Sequence, residues 1–125
     1  MRGVLVAAHG SRSPEVEETM QFIMKNVRER VSEVPVQLGY LGVGFPSIEE
    51  GLEMLRQLGV IEITILPYFL FQGIHVKETL PEIAEAFEKQ HPEVHVSVEK
   101  SLGADVRLAE LLAERIRSVD TTNFS

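Results

Sequence analysis

The chain repeats one pattern four times: a short apolar run, a polar loop, and a stretch with apolar residues at helical spacing. The apolar runs, each predicted to be a β-strand, are residues 3–8, 35–41, 61–66 and 94–98. Strict alternation of strands and helices is typical of parallel sheets with right-handed crossovers on both faces. The sequence therefore predicts an α/β fold: a single three-layer domain with a four-stranded, mainly parallel sheet and helices on both faces, like half of a flavodoxin-like fold.

Local signals mark the ends of the predicted helices. Ser13 precedes Pro14 and is predicted to cap the first helix, and Ser47 with Glu50 three residues later predicts a capping box in the second. Gly59 is predicted to end that second helix. We expect one domain over residues 1–120 and a flexible tail over residues 121–125. The last helix has an apolar face formed by Leu108, Leu111, Leu112, Ile116 and Val119.

The composition restricts the functional class. Because the chain has no cysteine, it forms neither disulfides nor thiolate metal sites, and a cytoplasmic location is expected. A net charge of −7 argues against a nucleic-acid partner, since binding to phosphate requires basic residues. Pro67 and Gly73 interrupt the longest apolar stretch, and nothing near Met1 resembles a signal peptide. We therefore expect no association with a membrane.

Two histidines follow two of the predicted strands. His9 comes directly after the first strand, and His75 follows the third after a short loop. Parallel strands end at the same edge of a sheet, where open α/β sheets bind ligands, so both imidazoles are expected at that edge. Neutral imidazole binds late first-row divalent metals and also accepts protons. The pair therefore predicts a metal-handling or proton-accepting site.

Other interpretations of these loops remain open. Each histidine could simply bond to backbone at a strand end. Glycine-bearing loops before helices could hold phosphate, although neither a dinucleotide nor a P-loop glycine pattern is present. Ser11 near His9 would also suit a hydrolase, but the chain has no Gly-x-Ser-x-Gly nucleophile motif.

Residues beside the two histidines could bind a substrate. Arg12 and Lys77 could pair with substrate carboxylates, and Ser11 lies in the same loop as Arg12. The aromatic residues Tyr68, Phe69 and Phe71 extend the third strand into its loop and could form a wall for a flat apolar ligand, although core packing is the commoner role for such residues.

Several of these segments resemble one known family. They are His-Gly-Ser-Arg at 9–12, Pro-Ser-Ile at 46–48, Leu-Pro-Tyr-Phe-Leu at 66–70, Gly-Ile-His-Val at 73–76 and Ser-Leu-Gly at 101–103. In this order and spacing the chain resembles the small form of sirohydrochlorin cobaltochelatase, from about residue 3 to 119. The resemblance implies a chelatase-like fold and a class II chelatase, which inserts a divalent metal into a tetrapyrrole without ATP or an organic cofactor.

The resemblance also assigns roles to residues. The paired histidines of the family correspond to His9 and His75, as metal ligands and catalytic bases. The small form is expected to be a homodimer, because one unit resembles half of a double-length relative. Relatives often carry a glutamate where this chain has Gly42. Cobalt(II) is the expected substrate metal, with nickel(II) and iron(II) as alternatives; a protein that binds and delivers a metal or tetrapyrrole without catalysis is the rival function.

Overall fold

A single parallel sheet organises the protein. The structure, a computed structural model, describes residues 1–119. Its strands are β1 (Arg2–His9), β2 (Val36–Leu41), β3 (Glu62–Pro67) and β4 (His95–Val98), in the order β2-β1-β3-β4, and all neighbouring strands run parallel. The predicted α/β fold with a four-stranded sheet is confirmed, and β4 lies at an edge as its alternating pattern indicates. The predicted tail at 121–125 lies outside the described residues.

The helices are α1 (Pro14–Arg30), α2 (Ile48–Gln57), α3 (Leu80–Gln90) and α4 (Val106–Ser118), and a π-helical turn, His75–Thr79, runs directly into α3. The predicted capping box of α2 is present: the Ser47 hydroxyl accepts from the Glu50 amide at 3.0 Å, and the Glu50 carboxylate accepts from the Ser47 amide at 2.9 Å. None of the helices described between residues 1 and 119 is long and apolar enough to cross a membrane.

The predicted cap of α1 is wrong in one respect. Ser13 occupies the cap position, but its side chain makes no capping hydrogen bond. Its amide instead donates to the hydroxyl of Ser11 at 3.1 Å. The Ser11 side chain therefore organises the loop between β1 and α1, and Pro14 supplies the backbone angle with which the helix begins.

The core lies in two layers, one on each face of the sheet. Helices α2 and α3 cover one face, where Leu5 and Ile65 of the strands pack with Leu52 and Leu80. Helix α1 covers the other face over β1 and β2. There the buried cluster consists of Val6, Ala8, Met20, Met24, Leu38 and Tyr40. Helices thus lie on both faces, as predicted, because successive side chains of each strand point to opposite sides.

Helix α4 departs from this arrangement. None of its residues is buried, and the side chains of Leu112 and Ile116 on its apolar face are 64% and 68% exposed. The sheet face beside α1 is correspondingly uncovered over β3, where Leu66 is 40% exposed. The predicted apolar face of the last helix exists, but within one chain it adds nothing to the core.

Candidate active site

The register of β1 against β3 brings together the first two side chains of the site. Ala7 pairs with Pro67, and the Tyr68 amide donates to the Ala7 carbonyl at 2.7 Å. Two residues beyond each member of that pair, His9 and Phe69 point to the same side of the sheet edge. Their ring centroids are 6.0 Å apart in an edge-on contact.

The loop after β3 then returns to bring His75 beside His9. The two imidazole centroids are 5.2 Å apart, with ring planes at 76°. His9 is exposed and His75 is half-buried at the start of the π-helical turn. The two histidines, 66 positions apart in the chain, are therefore neighbours at the carboxyl edge of the sheet.

A small apolar cavity of about 80 Å³ adjoins the two rings, walled by Phe69, Phe71 and Val76. A water molecule occupies roughly 30 Å³ of liquid, so the cavity has room for an ion and a water or two. It is far too small for a macrocycle. A large ligand would have to lie outside the cavity, against the ring of Phe71, which is 81% exposed.

Backbone contacts between loops hold the site in shape. The Gly10 amide, next to His9, donates to the Leu41 carbonyl at 2.8 Å. On the other side, the Phe69 carbonyl accepts from the Leu102 amide at 2.8 Å, and the Gln72 side chain accepts from the Ser101 amide at 2.6 Å. Each histidine-bearing segment is thus tied to the loop of a neighbouring strand.

Gly10 is required by how closely two loops approach. A Cβ built on this residue would lie 1.5 Å from the carbonyl oxygen of Val43, which no side chain can tolerate. The glycine in the His-Gly-Ser-Arg segment therefore allows the loop after β2 to pack against the loop that carries His9. Gly42 has a φ of +86°, a conformation suited to glycine, and residues 42–46 include no carboxylate.

His75 has a polar neighbour on its own turn. Its Nδ1 lies 3.2 Å from the hydroxyl oxygen of Thr79. Val76 and Leu80, the residues next to these two, are 5% and 0% exposed, so the backbone on both sides of the contact is anchored in the core.

The ligand set around the histidines is small. Within residues 1–119, no group of three or more His, Cys, Asp or Glu side chains is placed to hold a metal ion. One chain can thus offer two imidazoles, and the other coordination positions of an ion there would go to water or to a substrate. Such an open arrangement is characteristic of sites where a metal reacts or exchanges, whereas structural sites are closed.

One ionisable group with a shifted pKa, Tyr40, lies on the other face of the sheet. Burial, and next a 2.7 Å hydrogen bond from its hydroxyl to the Glu17 carboxylate, raise the pKa of Tyr40 to about 12. This bond links the end of β2 to the first turns of α1 and remains intact at neutral pH.

The remaining predicted site residues are not all at the cavity. Ser11, Arg12 and Lys77 are exposed, and neither basic residue forms a salt bridge with any residue in 1–119. Tyr68 points to the α1 side, where it packs against the core. It joins Phe71 only in a separate apolar groove of about 690 Å³ that runs between the β3 loop and α4. Binding of substrate by these residues stays a prediction.

Sequence reasoning assigned no role to three residues that shape the site. Val76 walls the cavity, Gly10 allows the close approach of two loops, and Thr79 contacts His75. Thr79 could have been found from its spacing, because residues four apart on a helix are neighbours. The role of Gly10 could not, since Val43 lies on a different loop.

Comparison with known proteins identifies close relatives. The CbiX family model matches residues 3–119. A sirohydrochlorin cobaltochelatase from Methanothermobacter thermautotrophicus is 35% identical over 93% of this chain and 91% of that protein. Another from Methanosarcina acetivorans is 30% identical over 92% of this chain and 94% of its own length.

Longer proteins also match. A sirohydrochlorin ferrochelatase from Priestia megaterium is 30% identical over 96% of this chain, which spans 45% of that protein. The crystal structure of the sirohydrochlorin chelatase SirB from Bacillus subtilis subspecies spizizenii, in complex with cobalt, superposes with a TM-score of 0.89 at 23% identity. It matches 94% of this chain and 50% of the SirB chain, which supports a shared fold.

Proposed function

The chain belongs to the CbiX family, and we propose that it is a metal chelatase that inserts a divalent metal ion into sirohydrochlorin without ATP or an organic cofactor. The observation that carries this proposal is the pair of imidazole rings 5.2 Å apart at the sheet edge, beside an apolar cavity. Relatives named for this activity match over nearly the whole chain.

His9 and His75 perform the chemistry. Metal insertion replaces two N–H protons of the macrocycle with a metal ion, so the site must deliver a cation and remove protons. A neutral imidazole has one available lone pair, which binds either a metal or a proton. One ring holds the incoming ion while the other accepts a proton, directly or through water, and the roles alternate as the ion moves into the macrocycle.

A site with two protein ligands suits a metal that is substrate. Closed sites with four protein ligands hold a metal permanently, whereas an ion with two imidazoles and several waters can still be released. Cobalt(II) is the proposed metal substrate, because the relatives that this chain matches over almost their whole length are named cobaltochelatases. Imidazole also binds nickel(II) and iron(II), so the ligands themselves do not select the metal.

The macrocycle lies over the histidines, outside the cavity. Its apolar face contacts the exposed ring of Phe71, while Phe69 supports His9 from within. Sirohydrochlorin carries several carboxylates, and the chain has a net charge of −7. Arg12 and Lys77, assisted by Ser11, offset that repulsion by pairing with substrate carboxylates.

The activity is tested by anaerobic absorbance spectroscopy with sirohydrochlorin in excess over protein, using cobalt(II), nickel(II) and iron(II) in turn. We expect several turnovers per chain with the wild type. His9→Ala and His75→Ala are expected to lose activity by about 100-fold or more, the usual contribution of a positioned acid–base group. His95→Ala is the matched control, because His95 is 76% exposed and lies at the start of β4, away from the site.

The outcomes separate the rival functions. A spectral change limited to one equivalent per chain would indicate a binding or delivery protein instead of an enzyme. Full activity in both active-site variants would refute the assigned roles of the histidines. The hydrolase alternative is already weaker, because no hydrogen bond joins Ser11 to His9 within the described part of the chain.

The protein forms a homodimer that completes its substrate cleft. The apolar face of α4 is exposed in one chain, and an apolar groove of about 290 Å³ opens on the sheet face beside Leu66, which is 40% exposed. Two copies related by a two-fold axis can cover both surfaces at once, each placing α4 against the other, and such an interface closes on itself. The groove beside α4 includes Phe71, which also walls the histidine cavity, so this interface adjoins the site.

Sedimentation velocity tests the dimer, for which we expect twice the 14.0 kDa chain mass. Leu112→Glu places a charge in the apolar face of α4 and is expected to give monomers. Glu114→Gln, on the opposite side of the same helix, is the control and is expected to leave the dimer intact. A monomeric wild type would contradict the proposed dimer.

A cytoplasmic location, expected from the lack of cysteine, is also part of the proposal.

A further inference from the structure

Thr79 contacts His75, and the contact bears on how His75 acts in catalysis. This inference rests on the proposed function. We propose that Thr79 is a positioning residue: its hydroxyl accepts the Nδ1–H of His75 and so leaves Nε2 as the nitrogen that binds metal or accepts a proton. The observation is the 3.2 Å separation between Nδ1 and the Thr79 hydroxyl oxygen.

The hydroxyl of Thr79 is available for this task. A threonine just before a helix commonly caps it with its side chain. Thr79 occupies that place before α3 but already has helical angles, with φ −64° and ψ −49°, and its side chain makes no capping bond. The π-helical turn continues into α3 without a break, so no free amides are left there for the hydroxyl to satisfy.

The protein holds the two groups in place from both sides. The Leu80 amide donates to the His75 carbonyl, which closes the turn around the same pair of residues. Val76 and Leu80 are buried in the core beneath it. Both His75 and Thr79 are half-buried, so the contact between the ring and the hydroxyl is only partly exposed to water.

The direction of the hydrogen bond decides what His75 can do. A hydroxyl can donate or accept, and a neutral imidazole carries one N–H. If Thr79 donated to Nδ1, the proton of the ring would be on Nε2, and neither nitrogen would have a free lone pair. If Thr79 accepts, Nε2 is free. Metal-binding histidines commonly donate their second N–H to an oxygen in this way, which fixes the tautomer and the orientation of the ring.

The experiment compares Thr79→Val, which keeps the shape and removes the hydroxyl, with Thr79→Ser, which keeps the hydroxyl. The ¹⁵N chemical shifts of the His75 ring report its tautomer in the protein alone, at a pH where the ring is neutral. We expect the Nδ1–H form in the wild type and in Thr79→Ser, and a shift toward the Nε2–H form in Thr79→Val. His95, whose Nδ1 lies 2.9 Å from the Glu88 carboxylate, is the internal reference and should not change.

Kinetics give the second readout. Thr79→Val is expected to raise the KM for cobalt(II) roughly 10-fold or more, in line with the loss of an outer partner of a metal ligand. Thr79→Ser is expected to keep a KM for cobalt(II) close to the wild-type value, which a purely structural role of Thr79 in packing would not predict. Thr79→Ala serves as a second variant without the hydroxyl if the valine variant folds poorly.

Two results would overturn the inference: a His75 ring that is Nε2–H in the wild type, or unchanged ¹⁵N shifts in both variants that lack the hydroxyl. Because the tautomer is read without substrate, its outcome is independent of the chelatase activity. A tautomer that depends on Thr79 in a protein that does not turn over sirohydrochlorin would refute the proposed function and retain the positioning role.

Discussion

Substitution of Gly10 tests how the fold positions His9. In Gly10→Ala, the added Cβ would lie 1.5 Å from the Val43 carbonyl oxygen, and it must move to at least 3.0 Å, the lower limit for real Cβ contacts. The obstacle is backbone, so no side-chain rotation relieves it. The loop after β2 has to retreat, and the hydrogen bond from the Gly10 amide to the Leu41 carbonyl is lost or lengthened.

The expected cost follows from these two effects. Overpacking costs about 1–3 kcal/mol and a lost hydrogen bond about 1 kcal/mol, so the free energy of unfolding should fall by about 2–4 kcal/mol. His9 is the next residue, and a displacement of about 1 Å in a reacting group can reduce activity about 100-fold. We therefore expect a folded but destabilised protein with a large loss of kcat/KM for cobalt insertion.

Urea unfolding and the absorbance assay measure the two effects separately. Gly73→Ala is the matched control for stability, since a Cβ at Gly73 meets nothing within 4 Å and the free energy should change by less than about 0.5 kcal/mol. Wild-type stability and activity in Gly10→Ala would refute the reasoning, because the loop would then have moved at no cost and His9 would not depend on it.

Two further substitutions test the framework around the site. The pKa of Tyr40 is raised in the folded state to about 12, so its contribution to stability is complete below pH 10 and is lost as the pH rises to about 12. The free energy of unfolding of the wild type should therefore fall by about 2 kcal/mol over that pH window. Urea unfolding at each pH measures this loss, which should be smaller in Tyr40→Phe. Ser47→Ala removes the hydroxyl that accepts from the Glu50 amide and should lower the free energy of unfolding by about 1 kcal/mol; an unchanged unfolding midpoint would show that the capping box contributes no stability.

Local chemistry made much of the fold predictable. The period of apolar residues distinguishes strands from helices, and the Ser47–Glu50 pair predicted a cap that the structure contains. The expected side-chain cap at Ser13 is absent, and the amide of Val16, three residues later, donates to the backbone carbonyl of Ser13 at 3.2 Å instead. A sequence pattern shows that a capping residue is present, whereas the loop around it decides which bond forms.

The positions of the site residues were also predictable only in part from the sequence. The alternation of strands and helices, with the rule that parallel strands end at one edge, was enough to expect His9 and His75 at the same edge; that β1 and β3 are neighbours came from the structure. Tyr68 and Phe69 are adjacent in sequence, yet Phe69 contacts His9 while Tyr68 packs on the opposite face. The alternation of side chains along a strand separates them, and the register with β1 decides which one faces the site.

The sequence by itself determined the strands and helices, the parallel direction of the strands and the shared edge of the two histidines. These features depend on local periodicity and on the handedness of crossovers. Only the tertiary structure decided that α4 leaves its apolar face bare, that Gly10 meets Val43, and that Thr79 faces the His75 ring. The physical reason is that burial and close contact are properties of pairs of surfaces. A sequence shows that an apolar face or a glycine exists, but the path of the chain decides what lies against it.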